Sequence, residues 1–363
     1  MGNPSGMVDW ELAVATANRL MSPGPEVSRS EADAAVDSLR RLSEVAAGHV
    51  EQITRLHPTG ATPPVRVIDR PTWVRTNAEG MQRLLTPLID KLEQRRPRPM
   101  GRLTAAVGPR VTGVQAGAVL AFLSGKVLGQ FEFFAEPDGQ LLLVAPNVVD
   151  AERMLGVDPG DFRLWVCLHE VTHRTQFTAV PWLRGYLGTE IDALVEAIDL
   201  DPEALRQRLA AVGRELGRMI RGERDPSGAR PGLLGLVQSP AQRAVVDRLT
   251  AFMSLVEGHA EYVMNAVGTD VIPSLPTLKE RFGRRRQGTG PIDRLVRRAL
   301  GLDLKLRQYA DGSAFVRAVV DAVGIDGFNV VWTSAETLPR RTELSAPLDW
   351  VERVHGFRPA ASA

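Results

Sequence analysis

Residues 164–177 read LWVCLHEVTHRTQF, and the reading of the whole chain works outward from this stretch. Leu164, Trp165, Val166, Cys167 and Leu168 are apolar, and Val171 and Phe177 continue the pattern, which predicts a buried helix rather than a solvated one. Inside it lie His169, Glu170 and His173. A helical turn takes about 3.6 residues, so the two histidines project from one face, one turn apart. Two imidazoles and a carboxylate buried without partners would be strongly destabilising. Either a shared cation satisfies them or they are core side chains hydrogen-bonded to their surroundings.

The run has the form HExxH, in which two histidines hold zinc and the glutamate acts as general base on a water. With 6 His and 22 Glu in 363 residues, a shuffled chain would contain it in roughly 0.6% of cases. Zinc is therefore the expected cofactor, with His169 and His173 as ligands and Glu170 as the base. A stable site needs a third protein ligand. The metzincin pattern does not supply it, because Gln176 stands where its glycine belongs and Ala179 where its third histidine belongs.

Two later stretches compete, Glu190 and Glu196 in TEIDALVEAID and Glu257 in MSLVEGHAEYVM. Leu255, Val256, Ala260, Val263 and Met264 surround Glu257 with apolar residues, and a carboxylate there needs a cation. Asp192 and Asp199 give the Glu190 and Glu196 region the look of a solvated face, so Glu257 is the expected ligand. Glu261, four residues on, shares its face and is expected to accept a hydrogen bond from the outward nitrogen of a ligating histidine. His259 and Tyr262 are candidate donors to a developing oxyanion, although in an unbroken helix His259 would point away from Glu257. Cys167 lies two residues before His169, on another face, and reads as packing.

Composition narrows the alternatives. The chain is 44% hydrophobic and 24% charged with a net charge of +1, the balance of an ordinary soluble protein with no field for nucleic acid or an anionic membrane. The basic stretch FGRRRQGTGP, 282–291, lacks aromatic interleaving and reads as a solvated loop. One cysteine forms no internal disulfide, and MGNPSGMVDWEL has neither a basic flank nor an apolar core, so a cytoplasmic location is expected. The apolar run Val114 to Leu123 falls short of the roughly 18 residues of a membrane span. The oligomeric state is not legible.

Helices are predicted over Trp10 to Met21, from a Ser28 or Ser30 cap to about Leu56, Thr72 to Leu92, Thr189 to Leu200, Pro202 to Arg221, Ser239 to Gly268 and Leu302 to Val323 with a break at Gly312. Val111 to Leu128, apolar nearly all round, predicts a fully buried helix. Val65 to Ile68 reads as a strand, and Gln130 to Phe134 with Gln140 to Ala145 as a β-hairpin just before the metal helix. Gly222 to Gly232 reads as an internal linker, and Trp332 to Trp350 as a tail packed over the body. One unit, 1–363, is expected; if it divides, 1–221 would carry the hairpin and HExxH helix and 233–363 the third ligand.

HEVTHRTQF, LVEGHAEYVM, FGRRRQ, LDLKLRQYADGSAF and the opening VDWELAVATANRLMSPGP together resemble a zincin-like metallopeptidase family of uncharacterised hydrolases. The resemblance covers nearly the whole chain and implies His169, His173 and Glu257 as ligands and Glu170 as catalytic glutamate. Family members are often labelled as associated with biosynthesis of a deazaflavin coenzyme, an association that implies no chemistry here; the chain has no GxGxxG after a strand and no P-loop. The expected fold is α+β and mainly α-helical, a zincin-like core with a small antiparallel sheet or hairpin next to the HExxH helix. The expected function is a zinc metallopeptidase acting on peptide or protein. A zincin-shaped binding or scaffold protein and a small-molecule amidase are the alternatives.

Overall fold

The computed structural model describes residues 7–94, 102–133, 135, 139–197, 239–286 and 302–359. The expected helix from Pro202 to Arg221 and the linker from Gly222 to Gly232 lie outside them. Helices α1 (Trp10–Leu20), α2 (Arg29–Thr54), α3 (Arg70–Gln94) and α4 (Arg102–Ser124) alternate with strand β1 (Val65–Ile68) and lead to β2 (Gly129–Glu132) and β3 (Gln140–Val144). Then follow α5 (Ala145–Leu155), α6 (Pro159–Ala179), α7 (Trp182–Ala197), α8 (Pro240–Ala266), α9 (Leu275–Arg286), α10 (Leu302–Phe328) and α11 (Pro347–His355). The fold is mainly helical α+β. No helix among the described residues is long and apolar enough to cross a membrane.

Helix ends follow local chemistry. Ser28 accepts from the Glu31 amide while Glu31 accepts from the Ser28 amide, a reciprocal cap that starts α2. Asp158 caps α6 through the Asp161 amide, with Pro159 in its first turn, where a missing N–H costs nothing. Ser239 and Gln242 repeat the reciprocal cap at α8.

The sheet has order β1-β3-β2 and is mixed: β2 runs antiparallel to β3, as a hairpin requires, but β1 joins its other side in parallel. The expected antiparallel hairpin is present, and the third strand makes the sheet mixed, its chain reaching the parallel neighbour β3 only after α3, α4 and β2. β3, QLLLV, is central and buried on both faces. Leu141 and Leu143 enter the larger core with α2, α6, α8 and α10, while Leu142 and Val144 enter a smaller one with Ala17, Trp73, Val74 and Leu120. Period-2 alternation thus makes one strand the partition between two cores.

Three further expectations change. α4 is not buried all round: Val107, Val111 and Val114 are about half exposed. Its glycine side is the packed one, since a methyl at Gly113 or Gly117 would lie 2.5 Å from the carbonyl oxygen of Asp9, which caps α1, or of Ala13 within it. Phe282 to Arg286 extends α9 instead of forming a loop, and residues 287–291 lie outside the described residues. α10 breaks at Gly324, with φ 72° and ψ 174°, rather than at Gly312. Gly312 instead sits against α8: an added Cβ would be 1.9 Å from the Ser254 carbonyl oxygen, and one at Gly258 would be 2.1 Å from the Gly312 carbonyl carbon. The two glycines let α8 and α10 cross backbone to backbone. The segment from Trp332 to Trp350 does pack over the body, with Trp350 fully buried and its indole donating to the Thr337 carbonyl oxygen.

Helix propensity favours Ala over Gly by about 1 kcal/mol, whereas overpacking costs about 1–3 kcal/mol or more. Gly312→Ala should therefore lower stability in urea unfolding. Gly48→Ala in α2, with nothing within 4 Å of its added methyl, should raise it. Equal effects would mean that the helix crossing is looser than this.

Candidate metal centre

α6 and α8 build the site. On α6, His169 and His173 lie one turn apart, with Nε2 atoms 3.2 Å from each other and rings at 84°. From α8, Glu257 brings Oε2 to 3.5 Å from each of those nitrogens. The three offer one ligand atom each, all within 4.8 Å of one another. A proton can bridge one pair of such lone-pair atoms; a divalent cation can serve all three at once. Two imidazoles and a carboxylate are also a donor set that suits zinc, so the residues fit a metal. Among the described residues no other group of three or more His, Cys, Asp or Glu converges in this way.

Glu170 is 6% exposed and lines the same cleft as the three ligand candidates. It is pressed against the first residue of β2: a Cβ on Gly129 would lie 2.6 Å from its Cγ, 2.7 Å from its Cδ and 2.9 Å from its Oε1. Any side chain at 129 would displace the carboxylate. The cleft measures about 480 Å³. α3 contributes Met81 and Leu84 to it, β2 the residues Gly129 to Glu132, α6 Phe177 and α8 Met253. A larger groove of about 700 Å³ follows β1 on the opposite sheet edge, but no His, Cys or Glu lines it, so it offers no comparable chemistry.

β2 is an edge strand. Val144 donates to the Leu128 carbonyl oxygen, which fixes the ladder so that Gln130 and Glu132 bond to β3 while Gly129 and Phe131 direct N–H and C=O outward. No hydrogen bond among the described residues uses those outward groups.

Charge near the metal centre follows its surroundings. Burial works to lower the His173 pKa, but the hydrogen bond and charge of Glu257, with help from Glu170 and Gln176, outweigh it and hold the ring above the usual value. Burial pushes the Cys167 thiol up to about 12, and its Sγ faces the Leu39 carbonyl oxygen in the core, as packing requires.

The other candidates lie elsewhere. α8 runs unbroken through Gly258, and His259 is fully buried, stacked at 5.3 Å on Phe328 and 5.4 Å from Trp332. Burial, with a smaller contribution from His173, lowers its pKa to about 3. His259 does not line the cleft. Tyr262 is half-buried on the side facing Asp321 and Arg317 of α10, away from the cleft. Glu261 is half-buried one turn beyond Glu257. The outward nitrogen of His173 is met by Gln176, 3.0 Å from its Nδ1, and not by Glu261. Sequence reasoning noted Gln176 only as a departure from another motif, although its spacing of three from His173 puts it on the ligand face. Glu190 is not solvated: it is 7% exposed and held by the Arg248 guanidinium through bonds of 2.7 and 2.8 Å. Glu196 is exposed.

A family model described as "Zincin-like metallopeptidase" matches residues 8–351. Among solved structures, the chain is similar to a crystal structure from Chloroflexus aurantiacus titled a "putative hydrolase with a novel fold", at 29% identity and a TM-score of 0.70 over 96% of this chain and 99% of that one. No curated protein matches the sequence.

Because Glu190 already has a cation and Glu257 faces two imidazoles, the two should respond differently to truncation. Glu257→Ala should lose most of the metal retained by the purified protein, and Glu190→Ala should keep it, as measured by elemental analysis. Loss in Glu190→Ala with retention in Glu257→Ala would move the site to α7.

Proposed function

The chain belongs to the zincin-like metallopeptidase family, and from that premise we propose that it is a zinc-dependent peptidase that hydrolyses an amide bond of an extended polypeptide. The convergence of His169 Nε2, His173 Nε2 and Glu257 Oε2 next to Glu170, at the foot of an edge strand, carries the proposal. His169, His173 and Glu257 would hold the ion, and zinc bound there supplies polarisation of a carbonyl and brings the pKa of a water from about 9 toward about 7. Glu170 accepts the proton as water attacks and returns it to the leaving nitrogen. Its burial against Gly129 keeps the carboxylate from swinging away.

Polypeptide is favoured as substrate by the outward N–H and C=O of Gly129 and Phe131, which can pair with an extended chain laid along β2. Such main-chain pairing is indifferent to sequence, so side-chain preference falls to the apolar wall of Met81, Leu84, Phe177 and Met253. An apolar residue beside the scissile bond is expected.

Glu170→Gln is nearly isosteric, so zinc should remain while peptide hydrolysis falls by roughly 10² to 10⁴. Library cleavage by wild type and this variant measures it. Turnover unchanged in the variant would exclude Glu170 as the base, and no cleavage by wild type on broad peptide and small-amide panels would favour a binding protein. Gly129→Ala should also retain zinc, yet lose about 10²-fold in turnover, because its methyl would occupy the space of the Glu170 side chain. Full activity in Gly129→Ala would mean that Glu170 works from another position.

A further inference from the structure

Behind the metal centre a buried amide links the two helices that build it. Gln176, fully buried on α6, places Oε1 3.0 Å from His173 Nδ1 and Nε2 2.9 Å from the Val256 carbonyl oxygen and 3.0 Å from His259 Nδ1. The Val256 oxygen can only accept, so the amide atom facing it must be the NH2. Its oxygen is then turned toward His173, and an oxygen can only accept in its turn. His173 must therefore carry its proton on Nδ1, which leaves the Nε2 lone pair directed at His169 Nε2 and Glu257 Oε2.

His259 takes the second amide hydrogen. Its own Nε2, buried among Phe328 and Trp332, has no hydrogen-bond partner. An unsatisfied buried N–H is destabilising, a cost that a phenylalanine of similar shape would avoid. What the imidazole provides and a phenyl ring lacks is an acceptor at Nδ1. With both amide hydrogens taken up on α8, Gln176 cannot turn over. Val256 directly precedes Glu257, so one hydrogen bond ties the orientation of a histidine ligand to the helix that delivers the carboxylate.

We propose that Gln176 and His259 are positioning residues of the metal centre, a pair that fixes the Nδ1–H tautomer of His173 and so prepares its Nε2 for the metal. The inference rests on the assignment of His169, His173 and Glu257 as ligands, but the tautomer can be observed without any metal. Nitrogen-15 NMR of the metal-free protein at alkaline pH should show His173 protonated on Nδ1. In Gln176→Met, which keeps the volume and removes the acceptor, the ring should become a mixture of tautomers and the zinc Kd should rise about 10- to 100-fold. His259→Phe should weaken zinc binding by less, because Val256 still holds the amide. A wild-type His173 protonated on Nε2 would overturn the proposal, as would a Gln176→Met protein with unchanged tautomer and zinc Kd. If Gln176→Met fails to fold, the wild-type spectrum and His259→Phe still decide the question. Failure of the wild type to bind zinc, with the Nδ1–H ring in place, would instead overturn the ligand assignment.

Discussion

Two helices distant in sequence hold three lone-pair-bearing atoms within 3.5 Å of one another, and the packing around both helices keeps them there. Without a cation, two imidazoles and a carboxylate at 3.2–3.5 Å attract only as far as protons bridge them. The arrangement is maintained by packing on every side. α2 and the sheet back α6, while α10 presses α8 forward through a crossing so close that neither Gly258 nor Gly312 has room for a methyl group. Packing of this density does not deform gradually, so the positions of the three atoms are set by the fold itself.

The sheet applies the second constraint. β3 is apolar on both faces and separates two cores, which leaves β1 and β2 as the edges. β2 is the edge beside α6, and at Gly129 the strand has no room for a side chain against Glu170 of that helix. The same glycine admits the Glu170 carboxylate on one face of the strand and directs backbone groups outward along the edge. The Glu170 carboxylate and the outward-facing groups of the strand edge are thereby held in one register.

What the sequence discloses depends on whether a property is local. His169, Glu170 and His173 are legible because a helical turn alone puts them together, and Glu257 because a carboxylate amid Leu255, Val256 and Ala260 needs a partner. The caps of α2 and the strand at Val65 to Ile68 are local as well. Gln176 escaped because its function depends on the Val256 carbonyl and His259, on a helix beyond a long intervening segment. Glu190 looked solvated because Arg248, its partner, is equally remote in sequence. The break in α10 was misplaced for the same reason: glycine at 312 serves a helix crossing and glycine at 324 a positive φ, and sequence alone does not distinguish the two uses.

His259 shows how the chemistry of a residue and its position can point in different directions. Beside Glu257 in sequence, it has the side chain of an acid or a ligand, yet helical geometry turns it into an apolar cage that keeps it neutral. A neutral imidazole offers one N–H and one acceptor that a phenyl ring lacks, and of the two the structure uses the acceptor, on Gln176. The polar chain from His259 to Gln176 to His173 runs through the core with its donors and acceptors assigned in one direction. That direction originates at a backbone carbonyl, the one group in the chain that no titration or side-chain rotation can reverse.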